Sequence, residues 1–148
     1  GLPINIEVRS GDHRYGYASG GKWKKKMFCH YGFIPKTEGH DNEEIDVYLK
    51  PESNKNANVY IIKQMKQENG DKVFDEEKVM IGFDSKHHAK SVYLQHMGEK
   101  YFGGIEGMSI EEFKNRIKAQ TFRAELCRNC YFCGSFSGSN LLSSNVPT

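Results

Sequence analysis

The alternation of apolar and polar positions outlines most of the chain before any chemistry is considered. Residues 4–8 alternate as a first strand, and Ser10-Gly11-Asp12 turns the chain after it. A return through Tyr15 and Tyr17 reaches Ser19-Gly20-Gly21. Residues 22–26 then predict a strand with Trp23 packed inward and its lysines in water. An extended apolar run at 31–34 meets Pro35, crosses a polar turn containing Gly39, and resumes strand alternation at Ile45, Val47 and Leu49. Lys50-Pro51-Glu52-Ser53-Asn54 breaks that strand, and residues 59–65 supply the next. Asn69-Gly70 is the strongest hairpin signal, because a two-residue turn between strands needs positive φ at both positions. The return strand passes through Val73-Phe74 and residues 79–83.

Helical spacing takes over next. Asp84 or Ser85 caps a helix expected to reach Met97 or Tyr101, with Ala89, Val92, Tyr93 and His96 on one stripe and His87 and His88 at the surface. Phe102-Gly103-Gly104 is expected to end that element. Ser109-Ile110-Glu111-Glu112 reads as a capping box opening a second helix, whose apolar stripe is Ile110, Phe113, Ile117 and Leu126. Strands first and helices last predict an α+β domain.

Composition narrows the function classes. A chain of 148 residues is one domain with a modest core, its apolar fraction is 37%, and its mean hydropathy is −0.70. No run approaches the roughly 18 apolar residues of a membrane span, so no membrane partner is expected. No secretory pattern opens the chain. Lysine and arginine total 21 against 19 for aspartate and glutamate, and the net charge of +2 selects no partner. The basic run Lys22-Trp23-Lys24-Lys25-Lys26 is read as a strand rather than as a nucleic-acid surface, although an aromatic among lysines has that chemistry too. Cys127, Cys130 and Cys133 are crowded unlike a secreted disulfide framework, which points to a reducing cytoplasm. Three thiolates at this spacing would need a fourth ligand, Cys29 or His30, to hold zinc or a cluster. The alternative is a free-cysteine stretch in a frayed end. From these cysteines onward, residues 127–148 read as a flexible Ser/Gly/Asn-rich tail, either a linker or a cloning scar. The abrupt start at Gly1 and that tail read as a piece of something longer.

The chemistry is expected at residues 31–49. Asp41, Glu43, Glu44 and Asp46 crowd one turn, and such carboxylates repel one another unless solvent, a basic neighbour or a cation relieves them. Hard divalent ions such as magnesium take such oxygen donors together with substrate phosphates and water.

Tyr31-Gly32-Phe33-Ile34, followed ten residues after Tyr31 by Asp41-Asn42-Glu43-Glu44-Ile45-Asp46-Val47, resembles the signature of the soluble, magnesium-dependent (family I) inorganic pyrophosphatases. That signature is Asp-x-Asp-x-x-Asp, and Glu43 replaces its middle Asp. Such a variant is similar to pyrophosphatase-like domains within multidomain proteins of phages and mobile elements. The resemblance implies a small five-stranded barrel, like oligonucleotide-binding domains, with the two helices outside; this domain would span residues 1–126. It implies magnesium held by Asp41, Asp46, Asp75 and Glu76, with Glu43 handling the attacking water and Lys78 and Tyr31 holding reacting oxygens. Substrate phosphate would meet Lys36, Arg14 and one of Lys22, Lys24, Lys25 and Lys26, for which Lys24 is taken. Glu7 and Arg14 are similar in placement to an acidic and a basic cavity residue of the family, and Gly16 stands where the family often has another Glu. Taken plainly, Glu7 and Arg14 are exposed charges on an edge hairpin, and Asp75-Glu76-Glu77-Lys78 is a solvated turn. The function implied is hydrolysis of pyrophosphate or a related phosphoanhydride. Alternatives are a weakened metal- and phosphate-binding module, and a cysteine-metal module for nucleic acid. The working unit is a homo-oligomer or a larger parent chain.

Overall fold

A computed structural model describes residues 1–129. The strands are β1 (Asn5–Val8), β2 (His13–Ala18), β3 (Gly21–Lys26), β4 (His30–Ile34), β5 (Ile45–Leu49), β6 (Val59–Glu68), β7 (Asp71–Ile81) and β8 (Phe102–Met108). The helices are α1 (Lys86–His96) and α2 (Ile110–Asn129). The α+β expectation holds. Ser85 rather than Asp84 caps α1, its hydroxyl accepting from His88 N at 3.0 Å. Ser109 caps α2 in the same way, accepting from Glu112 N at 3.1 Å.

Six strands form one sheet in the order β1-β4-β5-β7-β6-β8, one more than the resemblance implies, and only the β5–β7 pair is parallel. Among the described residues this ladder ends at β1 and β8, and no pairing joins the two ends. The extra strand, β8, begins at Phe102-Gly103-Gly104, where sequence reasoning expected only a helix end. Gly103 is admitted for a packing reason: a Cβ there would stand 2.5 Å from the Met65 sulfur on β6. At the β6–β7 turn, Asn69 (φ 53°) and Gly70 (φ 84°) both take the left-handed conformation that their dipeptide predicts.

Both faces of the sheet are covered, which explains why residues 59–62 read as an unbroken apolar run. Tyr60 and Ile62 point toward α1 and pack with Tyr31, Tyr48, Met80 and Tyr93. Val59 and Ile61 point toward α2 and pack with Val47, Val79, Phe113 and Ile117. Strand parity therefore assigns every charged residue of β5 and β7 to one helix side or the other. β2 and β3 form a separate two-stranded sheet.

Candidate active site

The α1 side of β4, β5 and β7 carries the polar centre. Lys78 is 5% exposed, and its ammonium donates to Asp46 Oδ2 at 2.6 Å and to the Tyr31 hydroxyl at 2.9 Å, with Glu76 Oε1 at 3.1 Å. Three acceptors use all three N–H groups. Burial opposes charge on this amine, but Tyr31, Asp46 and Glu76 together hold its pKa above the usual lysine range. Burial pushes the Tyr31 phenol up to about 12, against the pull of Lys78. Glu76 titrates above the usual carboxylate range, chiefly from burial, with Asp46 and Asp41 adding to the shift and Lys78 opposing it.

A β-bulge builds the rim of this centre. Gln64 pairs with Glu76 and Met65 with Phe74, so Asp75 is the extra residue of β7. In a regular strand Asp75 and Glu76 would face opposite sides; the bulge lets both line one cleft of about 740 Å³. Arg14, Lys24, Lys25 and Lys78 border the same cleft. The Arg14 guanidinium lies 4.1 Å from the Tyr31 ring centroid and 5.3 Å from that of Trp23. Trp23 needs Gly16 opposite it, since a Cβ there would come within 2.1 Å of the indole. That is the physical reason no Glu stands at position 16.

The acidic loop is arranged differently. Asn42 takes φ 66°, Gly39 N donates to Glu43 O at 2.7 Å, and Glu43 N donates to Asp41 Oδ1 at 3.0 Å. Asp41 borders a small cavity of about 20 Å³, room for about one water, across from Glu76 and Glu77. Glu76 thus borders both cavities. Glu43 is exposed and borders neither. Lys36 is exposed at φ 61° and lines a third groove, of about 470 Å³, with Leu2 and Phe122 of α2. Glu7 is exposed on β1.

Sequence reasoning missed how the loop is tied to α2. Gln120 Nε2 donates to Glu38 O at 2.9 Å, His40 Nε2 lies 3.5 Å from Glu77, and Arg116 pairs with Glu77 at 3.4 Å and with Glu106 at 3.0 Å. The available signal was spacing: Arg116 and Gln120 each adjoin Ile117 within one turn, so they flank the buried stripe.

The sequence places His96 on the α1 stripe but does not mark it as a hydrogen-bonded polar group of the core. Its Nε2 accepts from Phe28 N at 2.9 Å and its Nδ1–H donates to Val92 O at 2.8 Å, which fixes the neutral tautomer. Its pKa is lowered, first by burial and then by Lys25 and Arg14, against the Val92 hydrogen bond. A lowered pKa means that His96 contributes stability above the unfolded value of about 6.5 and loses it as pH falls through the folded value. His96→Gln is therefore expected to be less stable than the parent at neutral pH and to lose less stability on acidification, as read from urea midpoints across that window.

The donor chemistry around Glu76 fits a hard divalent ion, since every candidate ligand is a carboxylate and their mutual crowding is part of what raises Glu76. Among the described residues no three His, Cys, Asp or Glu side chains stand close enough to hold a metal ion, and Lys78 holds Asp46 and Glu76 instead. Of the cysteines, Cys29 is in the core with its thiol pushed up to about 12 by burial, and Cys127 is half-buried on α2. His30 Nδ1 accepts from Ser10 N at 3.0 Å. Cys130 and Cys133 lie outside the described residues. No described helix is long and apolar enough to cross a membrane.

A family model described as "Inorganic Pyrophosphatase" matches residues 1–118. Similar solved structures include an inorganic pyrophosphatase from Neisseria gonorrhoeae, with 18% identity over 81% of this chain and 88% of that one and a TM-score of 0.48. One from Helicobacter pylori has 16% identity over 79% and 91%, with a TM-score of 0.44. One from Coxiella burnetii has 14% identity over 82% and 92%, with a TM-score of 0.43. No curated protein sequence matches the chain.

Proposed function

The chain belongs to the inorganic pyrophosphatase family, and from that premise we propose that it hydrolyses inorganic pyrophosphate to phosphate in a magnesium-dependent reaction. The observation carrying this reading is Lys78 bound at once by Tyr31, Asp46 and Glu76 at the edge of a cleft that also presents Arg14, Lys24 and Lys25. A pyrophosphate anion needs several cations arranged around it, and three basic side chains besides Lys78 face that space. We assign Asp41, Asp46, Asp75 and Glu76 to magnesium. Bound there, the ion would neutralise substrate charge and acidify an attacking water.

The chain's own residues divide the remaining work. Lys78 holds Asp46 and Glu76 in place and, with the Tyr31 hydroxyl, offers donors to a phosphate oxygen. Arg14 and Lys24 meet the substrate's outer oxygens; Lys36 lines a separate groove and is not assigned to them. Glu43 takes the proton of the attacking water. The five consecutive strands β1-β4-β5-β7-β6 are those available to curl into the family's barrel. We assign residues 1–126 to the catalytic unit and the setting to the cytoplasm; of the tail expected at 127–148, residues 127–129 continue α2 and residues 130–148 lie outside the described residues.

A second reading has its own observation. Glu43 is one methylene longer than the family's aspartate and stands exposed outside the cleft, while catalytic groups tolerate only about 0.5 Å of displacement. On that reading the chain is a weakened metal- and phosphate-binding module of a larger phage or mobile-element protein. Phosphate release from pyrophosphate, polyphosphate and nucleoside triphosphates in magnesium separates the two. Release from pyrophosphate well above an Asp41→Ala, Asp46→Ala double variant supports hydrolysis; equal rates leave only binding.

A further inference from the structure

The basic run around Trp23 divides between two faces because it is a strand. In β2 and β3, Arg14, Trp23 and Lys25 are half-buried toward the cleft, while His13, Tyr15, Tyr17, Lys22, Lys24 and Lys26 are exposed. The register places these exposed residues in facing pairs: His13 with Lys26, Tyr15 with Lys24, and Tyr17 with Lys22. Each pair sets one cation beside one ring. Tyr15 and Tyr17 are 68% and 80% exposed, and Lys22 Nζ lies 5.8 Å from the Tyr17 ring centroid. No Asp or Glu occurs between positions 13 and 26. Among the described residues, no other strand pairs with this hairpin and no carboxylate forms a salt bridge with these lysines.

We propose that the outer face of the β2–β3 hairpin binds single-stranded nucleic acid. A large exposed ring has little to gain in water, whereas an unpaired base offers a π-face on which it can stack regardless of sequence. Same-face residues repeat about every 6.8 Å along an antiparallel strand, twice a rise of about 3.4 Å, so the three lysines step along the hairpin on the scale of an extended polynucleotide backbone. A duplex keeps its base faces stacked internally and would use the lysines alone. Inorganic polyphosphate would also use only the lysines. Having the rings and cations paired on one acid-free face is what selects a single strand. The run is the strand that the sequence predicts, with Lys22, Lys24 and Lys26 exposed; what the sequence does not show is that each of them faces an aromatic ring across the ladder. Tyr17 and Lys24 also border the cleft, so the proposal is tested apart from hydrolysis at Tyr15, Lys22 and Lys26, which do not.

The test is fluorescence anisotropy of a labelled thymidine dodecamer titrated with the full chain at several salt concentrations. The parent is expected to bind, with affinity falling as salt rises. The Lys22→Glu, Lys26→Glu double variant is expected to bind at least about tenfold more weakly, and losing two phosphate contacts should reduce the slope of log K against log salt by about 1.4. Tyr15→Ala is expected to lose about five- to tenfold with the slope unchanged, and Tyr15→Trp to retain binding, which separates lost stacking from lost fold. Phosphate release should stay at the parental level in all of these variants. Any one of four results overturns the proposal: no binding by the parent at low salt, equal binding of a duplex of the same length, parental affinity in Tyr15→Ala, or displacement by polyphosphate as effective as by unlabelled oligonucleotide of equal charge.

Discussion

Lys78→Met is expected to abolish pyrophosphate hydrolysis, with a loss of about 10³-fold or more, and to cost about 3–5 kcal/mol of stability. Methionine keeps the length of the side chain and removes its charge. Asp46 then loses a 2.6 Å charged hydrogen bond, Glu76 its partner at 3.1 Å and the buried Tyr31 hydroxyl its donor, all in one step. Breaking a buried ion pair from one side costs this much because the remaining charge stays desolvated and unpaired. The pH dependence provides an internal control. The pKa of Lys78 is raised on folding, so its contribution is fully present below the ordinary lysine range and is lost only as pH rises through the folded value. Near neutrality the deficit should therefore be flat on the lysine side. Glu76 already titrates above the usual carboxylate range, and removing Lys78 takes away the interaction that opposes this. The deficit should thus shrink as pH falls into the carboxylate range and the orphaned Glu76 takes up a proton. Urea unfolding at a series of pH values measures both trends; a deficit that grows on acidification contradicts the assignment of Lys78 as the shared cation. Lys78→Arg, which keeps the charge, should recover part of the stability and little of the rate, because a planar fork cannot meet three acceptors arranged around one nitrogen.

The sequence made this centre partly legible, and the boundary between what it revealed and what it hid has a physical cause. Strand periodicity and the Asn69-Gly70 turn are local properties, so β4 to β7 could be read directly from side-chain order. Strand parity even implies that Glu76, Lys78 and Met80 share a face. The bulge at Asp75 is not local. It depends on how ten residues of β6 are registered against eleven of β7, and without it Asp75 and Glu76 would face opposite sides of the sheet. β8 escaped for a related reason: Gly103 and Gly107 weaken its strand signal, yet each leaves room for a β6 side chain, Met65 and Tyr60. The pairing of Arg116 with Glu77 joins residues far apart in the chain and becomes visible only once α2 lies on the sheet. In the same way, the run from Lys22 to Lys26 predicts Trp23 inward and its lysines in water, but only the fold shows that Lys25 is half-buried beside Trp23 and that Lys22, Lys24 and Lys26 each face a ring.

Asp46→Asn is expected to lower the rate of pyrophosphate hydrolysis by about 10²- to 10³-fold with a smaller loss of stability than Lys78→Met, and its comparison with position 43 decides whether Glu43 is the base. Asparagine preserves shape and an acceptor oxygen, so Lys78 keeps a hydrogen bond there as well as Tyr31 and Glu76. What is lost is a negative charge at the point where Lys78 and any bound cation are oriented, and losing one preorganised electrostatic partner typically costs a rate factor of this size. Position 43 answers a different question. If Glu43 is the base that takes the proton of the attacking water, Glu43→Gln should cost about 10²- to 10⁴-fold, and the pH–rate profile should lose its acidic limb. Glu43→Asp, which restores the residue type of the family signature, should then change the rate in either direction by a readily measured factor. If instead the exposed side chain takes no part, both substitutions at position 43 should leave the rate within about twofold of the parent while Asp46→Asn still removes it. Phosphate release measured for the three variants side by side, with midpoint denaturant concentrations to exclude unfolding, distinguishes these outcomes. The remaining pattern, in which Asp46→Asn hydrolyses pyrophosphate as fast as the parent, would falsify the placement of the reaction at the Lys78 centre altogether.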